Sequence, residues 1–441
     1  MKKNEYGLFT SIGMIVGIVI GSGIFFKSDN ILVATNGSIL LGVVVFCIAA
    51  FGIIFGSLTI SELASRDSKA GGIITYAENS YNEKVACAFG WFHTFLYYPT
   101  LTAVISWVSG IYICILFGIE GGLLVEILIG LGIMIFLYIV NILSGKIGGY
   151  FQNLSTVIKI IPLILIAITG IVFGDTETIT NLNNSISSSN VWIFAIAPIA
   201  FSFDGWIIST SIAHEIKDSK KNLPKALITA PLFILLIYVL YFVGISKYVG
   251  PEKIMALGDA HVDLVAKSIF GPLGSKVIMT FVVISIIGTA NGLIMGHIRM
   301  PYSLAIRGML PKSKEIKKLN KFTGMSISSA IIAFISSCIC LLFHYLTQKY
   351  SLIPNGDISE ISITVNYMLY VLLYYKVFRM GVSGEVKGLW RGKINPIFAT
   401  IGSLIILFGS LNNPMFMYYL IINCILLLMS YLFCKYRKEE I

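Results

Sequence analysis

Apolar runs of about 18 to 25 residues, long enough to cross roughly 30 Å of hydrocarbon as α-helices, recur along almost all of this 441-residue chain. Hydrophobic residues make up 56% of the sequence and charged residues only 12%, which is far from the balance of a soluble chain. The shorter polar–apolar alternation of a membrane β-barrel is absent. The sequence therefore predicts an all-α membrane protein with one transmembrane domain over residues 1–441.

Twelve membrane-spanning helices are predicted from these runs and are numbered spans 1 to 12 in chain order. They cover residues 8–35, 39–64, 86–117, 124–143, 150–173, 191–215, 224–246, 275–306, 325–346, 360–378, 395–411 and 415–434. If both termini are cytoplasmic, most of the 32 Lys and Arg residues fall on the cytoplasmic side. We therefore predict a multi-pass protein of the cell membrane with both termini in the cytoplasm. The net charge of +10 follows from this asymmetry and does not indicate a nucleic-acid partner.

Two spans are interrupted near their midpoints. Span 1 contains "GIVIGSGIFF", residues 17–26, which alone is compatible with close helix packing or with a break that frees backbone groups. Span 6 contains Pro198 and then Asp204-Gly205 at similar depth. Interruptions at corresponding places favour the break and predict a transporter of two five-span repeats in opposite orientation. The repeats would cover about 8–173 and 191–378, with helices 11 and 12 at about 395–434.

The broken ends predict what the site binds. A half-helix leaves amides free at its N-terminal end and carbonyls free at its C-terminal end, so these ends attract a carboxylate and an ammonium respectively. The amides are those near Ser22, Gly23 and Ile24, and the carbonyls are those near Val19, Ile20, Phe201, Ser202 and Asp204. A zwitterionic α-amino acid matches both sets, and we predict it as the small-molecule substrate.

Three stretches resemble the amino acid–polyamine–organocation superfamily. "IGSGIFF" in span 1 is similar to its substrate-binding break. Residues 201–227, "FSFDGWIISTSIAHEIKDSKKNLPKAL", resemble the L-type amino acid transporter branch, in which an aromatic-rich DGW precedes E-x-K and N-L-P. Residues 285–311, "SIIGTANGLIMGHIRMPYSLAIRGMLP", are similar to the same family's eighth span and following loop. Within the branch, the chain looks like bacterial alanine-serine-cysteine-type exchangers.

The resemblance implies a LeuT-type fold with helices 1 and 6 unwound. It also implies sodium-independent exchange of small neutral L-amino acids by alternating access. The substrate amine would be held by the carbonyls of Val19, Phe201 and Asp204, and the carboxylate by the amides named above. The Phe201 ring would form a lid over the substrate, unless it only packs. We expect no enzymatic activity, cofactor or metal, because no phosphate-binding loop, nucleophile elbow or metal-ligand spacing is visible.

Two further polar residues lie inside predicted spans. Lys159 in span 5 could extend its ammonium to the membrane surface. The resemblance implies instead that the ammonium replaces the cation of sodium-coupled relatives, against carbonyls around Gly17 and against span 8 around Ser285. Asn291 in span 8 could line the substrate cavity or form hydrogen bonds between helices.

Several alternatives remain open at this point. A proton-coupled amino acid symporter, a cationic amino acid or polyamine carrier, and a non-transporting amino acid receptor are all compatible with an intramembrane amino acid site. The resemblance also bears on partners other than the lipid bilayer. Animal members of the branch are linked to a glycoprotein through a cysteine in the loop between spans 3 and 4. The loop here, residues 118–122, has no cysteine, so we predict no disulfide-linked heavy subunit.

Overall fold

The computed structural model describes residues 7–26, 28–67, 71–143, 145–174, 190–353, 356–411 and 415–437, and these residues are mainly helical. Nine of the described helices are long and apolar enough to cross a membrane. They become ten if the pair Leu8–Val19 and Gly23–Ala34, bent by 44°, counts as one span. The all-α membrane class is therefore confirmed. The count of twelve stays a prediction, because span 6 is divided and the helix of span 10 is not among the nine.

Helices lie at each predicted span. In the first half they are Leu8–Val19 and Ser22–Phe26 (span 1), Ile39–Ala64 (span 2), Glu83–Phe92 and Tyr98–Phe117 (span 3), Gly122–Leu143 (span 4) and Gly145–Phe173 (span 5). In the second half they are Ile196–Phe203 and the 3₁₀-helix Trp206–Glu215 (span 6), Ser219–Val249 (span 7), His261–Ala305 (span 8), Ile327–Lys349 (span 9) and Ser359–Val382 (span 10). Spans 11 and 12 are Asn395–Ser410 and Phe416–Tyr436.

Two short segments continue spans 1 and 6: the helix Ser28–Ala34 at the end of span 1 and the 3₁₀ turn Asn190–Ala195 at the start of span 6. Other short segments connect spans: the helices Ile73–Ser80, Pro251–Leu257 and Ser313–Ile316, the 3₁₀ turn Gly258–Ala260 and the π-helical turn Trp390–Ile394. A second π-helical turn, His93–Tyr97, lies inside span 3. The long helix of span 8 includes a non-helical residue, Gly271, at φ 71°.

Side-chain caps set the start of three spans. Ser38 accepts a hydrogen bond from the amide of Leu41 at 3.2 Å, which satisfies one of the free donors of span 2. Asn82 and Ser326 cap the first helix of span 3 and the helix of span 9 in the same way. These caps place polar residues where the chain enters each apolar run.

The first half-helix, Leu8–Val19, lies at the centre of the bundle. It packs against spans 5, 7 and 8 and against the 3₁₀ part of span 6, and its residues from Met14 to Val19 are buried. Spans 3 and 8 are also largely buried, whereas spans 4 and 12 have few buried residues. The break in span 1 is therefore enclosed by protein, as free backbone groups at membrane depth require.

Candidate functional site

Span 1 loses its helical conformation at Ile20 and resumes it at Ser22. Ile20 is extended (φ −70°, ψ 102°), and its amide donates to the carbonyl of Val16 at 2.8 Å. Three carbonyls at this helix end accept hydrogen bonds from the side chains of other spans. Gly17 O accepts from Lys159, Val19 O accepts from Tyr238 at 3.0 Å, and Ile20 O accepts from Thr289 at 3.3 Å. Donors from spans 5, 7 and 8 thus converge on one broken helix end.

Glycines bring the second part of this break against its neighbours. A Cβ atom on Gly23 would lie 2.7 Å from the Cα of Ser202 in span 6. A Cβ atom on Gly21 would lie 2.2 Å from Oγ1 of Thr289 in span 8. Neither position has room for a side chain, so these two glycines permit the close approach of spans 1, 6 and 8.

The break in span 6 has a different conformation. The helix Ile196–Phe203 ends before Gly205, which is left-handed at φ 95°, and a ten-residue 3₁₀-helix follows. Tyr238 also donates to the carbonyl of Ser202 at 2.7 Å. Since a hydroxyl has one proton, it can serve the Val19 and Ser202 carbonyls only in turn. The Tyr238 hydroxyl therefore lies between the carbonyls of the two breaks.

Lys159 is fully buried, so its ammonium does not extend to the membrane surface. Besides Gly17 O, the ammonium donates to Oγ1 of Thr289 at 3.2 Å. The contact in span 8 was expected around Ser285, but Ser285 Oγ has no hydrogen-bond partner among the described residues. Thr289 lies one helical turn further along the same face, and its hydroxyl meets the ammonium instead.

A narrow cavity lies between the two breaks. Its lining residues come from spans 1, 3, 6 and 8: Ile18, Val19, Gly21, Gly23, Leu101, Ile105, Asp204, Gly205, Thr289 and Leu293. The space holds about one water molecule, so an amino acid fits only after the lining moves.

Of the predicted substrate residues, three lie at the cavity: Val19, Gly23 and Asp204. Ile24 is buried beside them, and Ser202 contacts Gly23. The side chains of Ser22 and Phe201 lie outside the described part of the structure, so the Phe201 lid stays a prediction.

Asp204 contributes a buried carboxylate to this cavity. Its Oδ2 accepts a hydrogen bond from the hydroxyl of Tyr97 at 2.5 Å, and its Oδ1 has no partner among the described residues. Tyr97 is the last residue of the π-helical turn in span 3, a kind of irregularity often found at functional sites. Tyr97 therefore contributes a polar contact to the site as well as packing.

Asn291 is not among the residues that line the cavity. Its side chain accepts a hydrogen bond from Asn141 at 2.8 Å and donates to Gly148 O at 3.0 Å and Gln152 Oε1 at 3.2 Å. These contacts join spans 4, 5 and 8. Of the two alternatives left open by the sequence, hydrogen bonding between helices is the one that the structure shows.

Two important contacts escaped the sequence analysis. Tyr238 and Thr289 carry the hydroxyls that reach the broken end of span 1, yet both lie within apolar runs where many hydroxyl residues bond only to their own helix. The one available signal was the glycine at position 21, because a glycine at a break indicates a close neighbour without saying which one.

Comparison with known proteins agrees with this geometry. An amino acid permease family model matches residues 6–436. The serine/threonine exchanger SteT of Bacillus subtilis (strain 168) is 30% identical over 415 residues, which cover 93% of this chain and 91% of that protein. The b(0,+)-type amino acid transporter 1 of Mus musculus is 27% identical over 390 residues, covering 86% of this chain and 75% of that protein.

A human relative is more distant. Large neutral amino acids transporter small subunit 2 of Homo sapiens is 25% identical over 418 residues, which cover 90% of this chain and 74% of that protein. The resemblance stated from the span 1, 6 and 8 motifs is confirmed by these matches. The chain belongs to the amino acid permease family, within the amino acid–polyamine–organocation superfamily.

Proposed function

We propose that the protein exchanges small neutral L-amino acids of the alanine, serine and cysteine type across the cell membrane, without sodium and by alternating access. The observation that carries this proposal is the convergence of Lys159, Tyr238 and Thr289 on the carbonyls of span 1, beside a closed cavity. The SteT relative is named as a serine/threonine exchanger, which supports exchange as the mode of transport.

In this proposal the substrate carboxylate binds the amides of Ser22, Gly23 and Ile24 at the start of the second half-helix. The substrate ammonium binds the carbonyls of span 1 and span 6 across the cavity. The participating carbonyls are those of Val19, Phe201, Ser202 and Asp204. Val19 O and Ser202 O share the Tyr238 hydroxyl as a donor. A carbonyl oxygen has two lone pairs, so each can accept from the ammonium as well.

Sodium independence rests on Lys159. Its ammonium, which contacts Gly17 O and Thr289 Oγ1, supplies a fixed positive charge between spans 1, 5 and 8. That charge would repel a sodium ion from the same space. The first half-helix would then be held by a side chain rather than by a coupling ion.

The architecture we propose is a LeuT-type fold of twelve helices. Its two inverted five-span repeats cover about 8–173 and 191–378, and both termini are cytoplasmic. We also propose that the chain works without a disulfide-linked heavy subunit, since the loop 118–122 contains no cysteine. Purified protein reconstituted alone should therefore support transport, and a requirement for a co-purifying partner would contradict this part.

The decisive experiment uses vesicles that contain the purified protein and no sodium. Preloading with unlabelled alanine or serine should accelerate uptake of labelled serine. The reason is that the binding site of an exchanger returns to the outer side faster with a substrate bound than when it is empty. Equal uptake into empty vesicles would argue against obligatory exchange, and accumulation driven by a pH gradient would identify a proton symporter. Inhibition by arginine or putrescine but not by alanine would identify a cationic carrier. Binding without any flux would identify a receptor.

A further inference from the structure

A second and smaller pocket, which we name the inner pocket, lies beside the cavity. Its side chains are those of Met14, Ile18, Gln152, Ile208 and Met295, and two glycines of span 8 complete the lining. Ile18 lines the cavity as well, so its side chain forms a wall between the two spaces. Met14 lies one helical turn nearer to the N-terminus of span 1. The inner pocket is therefore on the cytoplasmic side of Ile18 in the orientation that we propose.

Gln152 in span 5 provides the polar side chain of this lining. It is fully buried, and its Nε2 has no hydrogen-bond partner among the described residues. The methionine and isoleucine side chains around it are apolar, and the sulfur of Met295 already accepts from Asn291 at 3.6 Å. A buried donor without an acceptor is unfavourable, so a ligand that supplies an acceptor gains binding energy here.

The hydrogen bonds behind Gln152 decide which atom of its amide is left over. Asn141 Nδ2 lies 2.9 Å from the carbonyl oxygen of Leu137, which can only accept, so this nitrogen is also the donor to Asn291 Oδ1. Asn291 then donates through Nδ2 to Gly148 O and to Gln152 Oε1. The remaining group of the Gln152 amide is therefore a donor, which suits a carboxylate and not an ammonium.

The inner pocket is closed in this conformation. A Cβ atom on Gly17 would lie 2.8 Å from Gln152 Nε2, and one on Gly292 would lie 2.6 Å from Cγ1 of Ile18. Span 1 thus packs directly over the amide, and the remaining space holds at most about one water molecule. Movement of the first half-helix of span 1 away from spans 5 and 8 would open the pocket and displace the wall at Ile18.

We propose that the inner pocket is a second, transient binding site for amino acid substrates, in which Gln152 Nε2 donates a hydrogen bond to their carboxylate on the cytoplasmic side of Ile18. This inference rests on the proposed function and adds the route between the cavity and the cytoplasm. Since every α-amino acid carries the carboxylate, the site serves all substrates and does not select among them. A water molecule is the other possible occupant, and competition by substrate distinguishes the two.

Met14→Cys places a thiol in the inner pocket. A membrane-impermeant thiol reagent is added to vesicles of expressing cells, prepared with either the cytoplasmic or the outer face exposed. From the cytoplasmic face it should block exchange by Met14→Cys but not by the wild-type chain, which measures the reactivity of the seven native cysteines. Serine on the same face should slow the reaction. A thiol that reacts only from the outer face, or from neither face, would overturn the inference. Met295→Cys is a second reporter in the same pocket.

Gln152→Met, combined with Met14→Cys, tests the hydrogen bond. The side chain keeps a similar length but has no N–H donor. The serine concentration that halves the modification rate should rise at least roughly tenfold, as expected for loss of a hydrogen bond to a charged group. The Kd of serine for the solubilised protein, which reports the main cavity, should stay close to the wild-type value. A Kd that rises equally would indicate a structural role for Gln152 and overturn the inference.

Asn141→Ala is the matched control, because it breaks the same buried network but leaves Gln152 Nε2 in place. Its half-protecting serine concentration should match that of Met14→Cys alone. Equal shifts in the Gln152 and Asn141 variants would show that the network only supports the fold. If neither variant shifts this concentration, the pocket holds only water. Either result would overturn the inference.

Failure of the inference differs from failure of the proposed function, because exchange is measured on the same vesicles. If the wild-type protein exchanges serine while Gln152→Met leaves protection unchanged, exchange stands and only the inner site is wrong. If no amino acid is carried or protects the thiol, the proposed function fails and the inference fails with it.

Discussion

The breaks in spans 1 and 6 are built differently, although they face the same cavity. In span 1 a two-residue gap separates two helical segments, and side chains from three other spans occupy the carbonyls of Gly17, Val19 and Ile20. In span 6 a left-handed Gly205 leads into a 3₁₀-helix, and the carboxylate of the residue before it accepts a hydrogen bond from Tyr97. Span 1 is thus held through its backbone carbonyls, whereas span 6 is also held through the side chain of Asp204.

This difference suggests a division of labour. The backbone groups of span 1 suit the carboxylate and ammonium that every α-amino acid carries. The carboxylate of Asp204 in span 6 instead accepts a hydrogen bond from Tyr97 in span 3. We therefore expect changes at the carbonyls of span 1 to affect all amino acids alike.

The largest effect is expected from Gly23→Ala, which tests whether the breaks must touch. The added methyl group would lie 2.7 Å from the Cα of Ser202, and backbone cannot move aside as a flexible side chain can. Overpacking of this kind costs about 1–3 kcal/mol and would be relieved by moving the two breaks apart. The site is then distorted even in the folded protein, so uptake of every amino acid should fall by roughly tenfold or more. Initial rates in vesicles, normalised to the amount of folded protein, measure this loss.

Gly13→Ala is the control for that variant. It makes the same change in the first half-helix of span 1, at a position where nothing lies within 4 Å of the added carbon. Uptake should stay close to the wild-type rate. Equal losses in the two variants would show that span 1 is sensitive to any substitution, and the contact between the breaks would lose its special importance.

The next effect concerns the donors that hold span 1. Lys159→Ala removes the donor to Gly17 O, and a buried carbonyl left without a partner costs about 1–3 kcal/mol. We expect turnover to fall by roughly tenfold, with a smaller change in KM, because the lysine steadies the half-helix rather than the substrate. Steady-state exchange kinetics separate the two constants. Loss of folded protein without any change in turnover would make Lys159 a folding residue only.

Span 8 offers a paired test of the same contact. Thr289→Val removes the hydroxyl that joins Lys159 to the carbonyl of Ile20 and should slow turnover in the same direction. Ser285→Ala, one turn away on the same face, removes a hydroxyl without a partner among the described residues. If Ser285→Ala had the larger effect, the expectation from the sequence would be right and the contact seen with Thr289 would not be the important one.

Backbone irregularities were predictable because they depend on local residue types. The apolar runs of spans 1 and 6 are interrupted by glycines 21 and 23 and by the Asp204-Gly205 pair, whatever the position of each helix in the bundle. Both breaks could therefore be placed from the sequence. Which neighbouring residue each side chain contacts was not predictable. Thr289 rather than Ser285 meets Lys159, and the segment after Gly205, which packs against spans 1, 7 and 8, is a 3₁₀-helix. These contacts depend on how each helix is rotated about its axis and how deep it lies in the membrane, which hydropathy does not specify.

A moderate effect is expected from Tyr238→Phe, which removes the hydroxyl between the two breaks without adding volume. The Val19 and Ser202 carbonyls lose a shared donor, and a hydrogen bond of this kind contributes about 1 kcal/mol, so exchange should slow by roughly fivefold for all substrates. Tyr241→Phe is the matched control on the same helix, because its buried hydroxyl has no partner among the described residues. Equal effects of the two variants on exchange rates would contradict a bridging role for Tyr238.

The smallest effect is expected far from both breaks, at the end of span 2 that we predict to be cytoplasmic. Glu62 accepts two hydrogen bonds from Arg391, at 2.7 and 3.0 Å, but the Arg391 side chain is 64% exposed. Exposed ion pairs contribute about 0–1 kcal/mol and are screened by salt. Glu62→Gln should therefore lower the melting temperature slightly at low salt, change it less at 0.5 M salt, and leave the order of substrate KM values unchanged. A changed order would mean that this distant pair reaches the cavity, and that the two breaks alone do not determine which amino acids bind.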